Sequence, residues 1–149
     1  MNLVLDSEPL RLLLDGLTSP APLRGSDRLR WNTLRQLAAE VARTGGAVVA
    51  PELALLELSR RPAAVAQLQA RLRTRAVEEL ITIAPATRPV IYRAGLLLGG
   101  IGKSSASVVD AVVVATAYTL IGTATIATVD PGDLGLLASL APGVTVQAL

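Results

Sequence analysis

The chain has 149 residues, enough for about one domain with a real hydrophobic core, and its 51% apolar content excludes disorder. Cysteine and histidine are both absent, which excludes disulfides, thiolate and imidazole metal sites, and the Ser-His-Asp and Cys-His hydrolases. Formal net charge is only +2, but thirteen of the fourteen basic residues are arginine, whose planar fork suits phosphate.

Residues 2–6 read as a first strand ending at Asp6. Ser7 stands where it can cap a helix that Pro9 tolerates in its first turn, with Leu10, Leu13, Leu14 and Leu17 at helical spacing. Residues 18–26, with two prolines and a glycine, form a loop. A second helix runs from a cap at Ser26 or Asp27 to about Arg43 and ends at Gly45-Gly46. AVVA (47–50) is a buried strand, and Pro51 opens a helix through Leu58. Arg61-Pro62 starts another helix, carried to about Ala76 by Val65, Leu68 and Leu72. LITI (80–83) is a third strand. Pro89 belongs to the first turn of a helix reaching Leu98, which Gly99-Gly100-Ile101-Gly102 breaks.

Ser104–Leu120 is rich in valine but too long for an ordinary strand, so it reads as a helix. ATIATV (124–129) is a strand, Asp133–Leu140 a short helix and VTVQAL (144–149) a last strand. Strands alternating with helices in this way demand an α/β fold with a mainly parallel sheet covered on both faces. No repeat or linker divides residues 1–149, which read as one domain. The apolar run 106–129 fits a buried helix and strand better than a membrane span, since Asp110 lies within it and threonines recur. MNLVLDSEP has none of the marks of a signal peptide, so the expected location is cytoplasmic.

Four carboxylates stand among aliphatic residues: Asp6 after LVL, Glu57 inside PELALLEL, Asp110 inside SVVDAVVVATA and Asp130 after TATIATV. A charge taken from water without a partner costs several kcal/mol, roughly a domain's whole stability. Four along one short chain point to a cation that gathers them, and hard oxygen ligands without histidine or thiol select Mg²⁺ or Mn²⁺. Ligands of open parallel sheets bind beyond the carboxyl ends of the strands, where Asp6 and Asp130 end theirs. Each acid also has a bland reading. Asp6 can be a helix cap and Asp130 a turn residue before Pro131-Gly132, whereas no cap or turn role suits Asp110. Glu52 follows Pro51 in a first helical turn, where a carboxylate serves the helix dipole, so Glu57 is preferred over it. Asp133 reads as the cap of the last helix.

LVLDSEPL (3–10), PELALLEL (51–58), DAVVVATA (110–117) and TVDPGDL (128–134), in that order, resemble the four signature regions of PIN-domain nucleases, above all the VapC-type ribonuclease toxins of toxin–antitoxin pairs. RAGLLLGGIG (93–102) is similar to the same family. The resemblance implies a three-layer α/β/α sandwich with a central five-stranded parallel sheet, a homodimer, cleavage of RNA with Mg²⁺ or Mn²⁺, and a cognate antitoxin that fills the active-site groove. It places the catalytic acids on Asp6, Glu57, Asp110 and Asp130, with Thr128 and Ser7 in support. In this scheme Asp6 and Asp110 hold the main ion, Asp130 completes the site or holds a second ion, and Glu57 orients or deprotonates the attacking water.

Residues 60–103 hold eight basic residues against Glu78 and Glu79, which fits an anionic polymer. Only Trp31, Tyr92 and Tyr118 are aromatic, too few for a stacking platform. GGIGKSS (99–105) imitates a phosphate loop, but Leu97 stands where the leading glycine is needed and no strand precedes it. Lys103 and Ser104 remain candidates for contact with RNA phosphate. The expected function is a metal-dependent endoribonuclease toxin. The alternative is a nucleic-acid-binding or assembly protein of the same fold with little catalysis.

Overall fold

The computed structural model describes residues 1–19, 21–60, 62–102 and 105–149. Five parallel strands lie in the order β3-β2-β1-β4-β5: β1 (Asn2–Leu5), β2 (Val48–Pro51), β3 (Ile81–Ala84), β4 (Ala124–Thr128) and β5 (Val144–Ala148). β1 sits centrally, paired with β2 through Leu3–Val48 and with β4 through Leu5–Ala127. Side chains alternate across a strand, so Leu3 and Leu5 enter one core while Val4 enters the other.

The first core is closed by α1 (Ser7–Thr18), α2 (Gly25–Arg43), α3 (Glu52–Leu58), α4 (Pro62–Leu72) and α5 (Arg75–Glu78). Leu10, Leu13 and Leu14 of α1 meet Leu34 and Val41 of α2 over β1 and β2. The second is closed by α6 (Arg88–Ile101), α7 (Val108–Thr119) and α8 (Pro131–Ala138). All residues from Ala111 to Ala117 are buried, because α7 is covered on every side and is apolar all round. The result is the expected three-layer α/β/α sandwich with a central five-stranded parallel sheet. Among the described residues no helix is long and apolar enough to cross a membrane.

Several boundaries differ from the sequence reading. The helix expected to reach Ala76 stops at Leu72. Thr74 adopts an extended conformation, its hydroxyl donates to the Arg71 carbonyl at 2.8 Å, and α5 starts anew so that Val77 can enter the core. The expected break at Gly99-Gly100 does not occur. Leu97, Leu98 and Ile101 keep packing on the second core, which offsets the roughly 1 kcal/mol that a helical glycine costs. α6 stops only at Gly102, whose φ of +66° is left-handed. α2 begins at Gly25, before the expected caps, and no side chain caps it. α8 begins at Pro131 rather than Asp133. Residues 20, 61, 103 and 104, including the proposed phosphate contacts Lys103 and Ser104, lie outside the described residues.

Candidate active site

β1 delivers Asp6 to the carboxyl edge of the sheet, directly before α1. Asp6, not Ser7, is the N-cap: its Oδ1 accepts the Ser7 N–H at 2.7 Å, and Ser7 is the first helical residue. The Ser7 hydroxyl lies 3.5 Å from the same oxygen. The neighbouring strand β4 ends at Thr128, which is fully buried and donates its hydroxyl to Asp6 Oδ2 at 2.8 Å. The same hydroxyl oxygen accepts the Asp130 N–H at 3.1 Å. One side chain thus ties the ends of two adjacent strands together.

Asp130 is exposed and caps α8, with Oδ1 accepting the Gly132 N–H at 3.4 Å. Asp133 therefore does not cap that helix; instead its two carboxylate oxygens accept the Ser105 hydroxyl at 3.0 and 2.8 Å. Asp110 corrects the sequence reading most sharply. It sits at the third position of α7 in a capping box, where Ser107 N–H donates to Asp110 Oδ2 at 2.7 Å and Asp110 N–H donates to Ser107 Oγ at 3.1 Å. A cap role does suit Asp110, and S-x-x-D was the readable signal for it. The box engages one carboxylate oxygen and leaves the other without a hydrogen bond among the described residues.

Glu57 lies in the second turn of α3, half-buried, with Arg60 Nη2 3.6 Å from its Oε1. Arg60 was not singled out from sequence, although its i+3 spacing from Glu57 is a helix-face signal. Glu52 is exposed and accepts the Ala86 N–H at 3.1 Å, which ties α3 to the loop after β3.

Electrostatics join three of the four acids. α7 packs against both α3 and β1. The Asp6 carboxyl is held above the ordinary carboxylate range, first by burial and then by the negative charges of Asp110 and Glu57, while hydrogen bonds from Thr128 and Ser7 pull it down. Asp6, Glu57 and Asp110 therefore share one electrostatic environment. Asp130 joins them through Thr128 rather than through its charge on Asp6. Among the described residues no three acids converge into a ready-made ion cage. Each instead takes a nearby partner: Ser7 and Thr128 for Asp6, Ser107 for Asp110, Arg60 for Glu57 and Gly132 for Asp130. The donor set is all oxygen and mutually repulsive, which fits a hard divalent cation.

No family model matches this chain, and no curated protein does. Two solved structures share its fold over nearly the whole length. One is the crystal structure of VapBC2 from Rickettsia felis bound to a DNA fragment from their promoter, at 14% identity and a TM-score of 0.56, covering 100% of this chain and 99% of that one. The other is FitAcB from Neisseria gonorrhoeae, at 19% identity and a TM-score of 0.59, covering 97% and 95%. At these identities the likeness shows the fold.

Proposed function

We propose that this protein is a metal-dependent endoribonuclease toxin that hydrolyses RNA phosphodiester bonds in the cytoplasm and is neutralised by a cognate antitoxin. The observation that carries the reading is the half-buried Asp6 carboxyl at the carboxyl edge of the sheet, anchored by Thr128 and held above the ordinary carboxylate range by burial first and by the charges of Asp110 and Glu57 in addition. Holding like charges within electrostatic range of a buried carboxyl costs stability, and a divalent cation drawn to them would offset the cost. The fold shared with two toxin–antitoxin structures supports the toxin reading.

In this mechanism Asp6, Asp110 and Asp130 would hold Mg²⁺ or Mn²⁺. The ion, when bound, activates the attacking water and neutralises charge on the phosphate. Thr128 fixes the orientation of the Asp6 carboxylate, and the Ser107 cap fixes that of Asp110, so both arrive preorganised. Glu57 orients the water and accepts its proton. Arg60 pairs with Glu57 and exchanges that pairing for a substrate phosphate oxygen. The outward side of α6, where Tyr92 and Leu96 are 66% and 69% exposed, is the proposed homodimer face.

One observation favours the second reading, a nucleic-acid-binding protein with little catalysis: Asp6, Asp110 and Asp130 all have helix-capping duties that explain them without a metal. The deciding experiment incubates purified, antitoxin-free protein with labelled RNA in Mg²⁺ or Mn²⁺. Cleavage that chelator and Asp110→Asn both abolish supports the enzyme. RNA binding without cleavage supports the second reading, and cleavage that survives both treatments removes the metal mechanism.

A further inference from the structure

α2 buries Leu34, Ala38 and Val41 and turns its opposite side outward. That side carries Arg24, Arg28, Asn32, Arg35 and Gln36, whose spacing places them on one ridge along the helix. The two acids of α2 are engaged elsewhere. Asp27 faces Arg11 at 3.3 Å and Arg30 at 4.0 Å, and Glu40 holds Arg43 at 2.5 Å. Among the described residues no carboxylate stands within ion-pair distance of Arg24, Arg28 or Arg35. Arg11 shows the contrast: Glu8, Asp15 and Asp27 all surround it, and they push its guanidinium pKa upward. Arginines that staple this fold have carboxylate partners; those on the ridge have none among the described residues.

The ridge is not smooth. A depression of about 490 Å³ opens beside Arg28, Trp31 and Asn32, and a second of about 350 Å³ beside Asn32, Arg35 and Gln36. The Arg35 guanidinium lies 5.9 Å from the centre of the half-buried Trp31 ring. The guanidinium of Arg28 and the indole of Trp31, which line the first hollow together, suit a base that has left its stack, and the exposed arginines suit the backbone that carries it. Duplex DNA keeps its bases stacked and would leave the hollows empty.

We propose that the outward ridge of α2 is an auxiliary binding surface for single-stranded RNA. Arg24, Arg28 and Arg35 contact phosphates, and the hollow lined by Arg28, Trp31 and Asn32 receives an unpaired base. Trp31 packs on Gly16 in the later half of α1, whereas Asp6 caps the start of that helix. Ten residues of helix separate the two points, about 15 Å along the axis, so the ridge lies apart from the acids. The choice of RNA rests on the function proposed above; the anion-binding ridge does not.

The test measures binding of a labelled, unstructured oligoribonucleotide to the full chain in chelator, where cleavage cannot intrude. Arg28→Ala/Arg35→Ala should weaken binding about tenfold and lower the slope of log affinity against log salt by about 1.4, at about 0.7 per phosphate contact on a single strand. Arg28→Lys/Arg35→Lys should keep most of the slope. Trp31 is the sole tryptophan, so its emission should change as RNA saturates. Alanine is a strong helix former at exposed positions, and an unchanged melting curve confirms that the double variant is folded. Equal affinity and slope in the alanine variant, or Trp31 emission indifferent to RNA, would overturn the proposal. So would duplex DNA of equal length binding more tightly through the same two arginines. A protein that binds through α2 yet never cleaves in Mg²⁺ or Mn²⁺ would defeat the endoribonuclease reading and leave this surface standing.

Discussion

Thr128 and Asp6, 122 positions apart in sequence, meet through a 2.8 Å hydrogen bond between hydroxyl and carboxylate at the ends of two adjacent parallel strands. The donor is fully buried, and its oxygen also accepts the Asp130 N–H. Thr128→Val keeps the shape and removes both bonds. The expected result is a stability loss of about 1 kcal/mol, at the modest end for a hydrogen bond to a charged group because Asp6 is partly exposed. RNA cleavage should fall as well, because the carboxylate loses its orientation. Thr128→Ser, which restores the hydroxyl, should recover most of the activity. A valine variant with full activity would show that Asp6 needs no such anchor.

The raised pKa of Asp6 makes a prediction with a definite sign. Burial and the charges of Asp110 and Glu57 disfavour the ionised carboxylate in the folded state. A folded-state pKa above the unfolded value contributes stability that is present below the unfolded pKa and lost as pH rises through the folded one. At neutral pH the ionised Asp6 is therefore a liability to the metal-free protein. Asp6→Asn, which can still cap α1, should raise the melting temperature at pH 7, and the gain should vanish near pH 3. Mg²⁺ should raise the melting temperature of the wild type and leave that of the asparagine variant almost unchanged. Thermal melts at the two pH values, with and without metal, check all of this. A variant less stable than wild type at pH 7 would mean that the Thr128 and Ser7 bonds outweigh the repulsion.

The parallel sheet and both covering layers were legible because each strand is a short apolar run bounded by helical periodicity, as with LVL before Asp6 and TATIAT before Val129. Local backbone competition was harder to see. Ser107 was absorbed into an apolar run that looked helical from Ser104, which hid the cap and made Asp110 seem to have no structural use. Gly99 and Gly100 looked like a stop, but the packing of Ile101 against the second core beyond them carries the helix on. The cap of α8 was assigned to Asp133 because it precedes an apolar turn at capping distance, but the helix starts earlier, at Pro131, capped by Asp130, and Asp133 is drawn to Ser105, 28 residues upstream. The mutual charge of Asp6, Glu57 and Asp110 depends on the packing of α7 against α3 and β1, which no local pattern encodes.

The capping box separates structural from chemical duty within a single turn of α7. Ser107→Ala removes the acceptor for the Asp110 N–H and should cost about 1 kcal/mol of stability. Because Ser107 N–H can still donate to Asp110, much of the cleavage should survive. Asp110→Asn keeps an acceptor for the Ser107 N–H, so the fold should melt within a few degrees of wild type. Cleavage should nevertheless drop by about 100-fold or more, the scale expected when a metal site loses a ligand or its close support. Equal losses of stability and activity in both variants would reduce Asp110 to a helix cap.

Thr116 carries the opposite prediction, a substitution that stabilises. It is 2% exposed in the fully enclosed turn of α7, and its hydroxyl has no hydrogen-bond partner among the described residues. An unpaired buried hydroxyl retains the desolvation cost of leaving water, about 1–3 kcal/mol from mutational data. Thr116→Val replaces that oxygen with a methyl group of nearly the same size and keeps the β-branched rotamer preference of a helix. Urea unfolding should show a gain of about 1 kcal/mol, at the lower end of the desolvation cost because the hydroxyl hydrogen of threonine can adjust and the two residues have nearly equal helix propensity. Thr116→Ser keeps the hydroxyl and deletes the methyl group, so it should lose about 1 kcal/mol, the value of one buried methyl or methylene. If valine destabilised instead, the hydroxyl would have to be bonded in solution, with the Val112 carbonyl one turn earlier the first acceptor to examine.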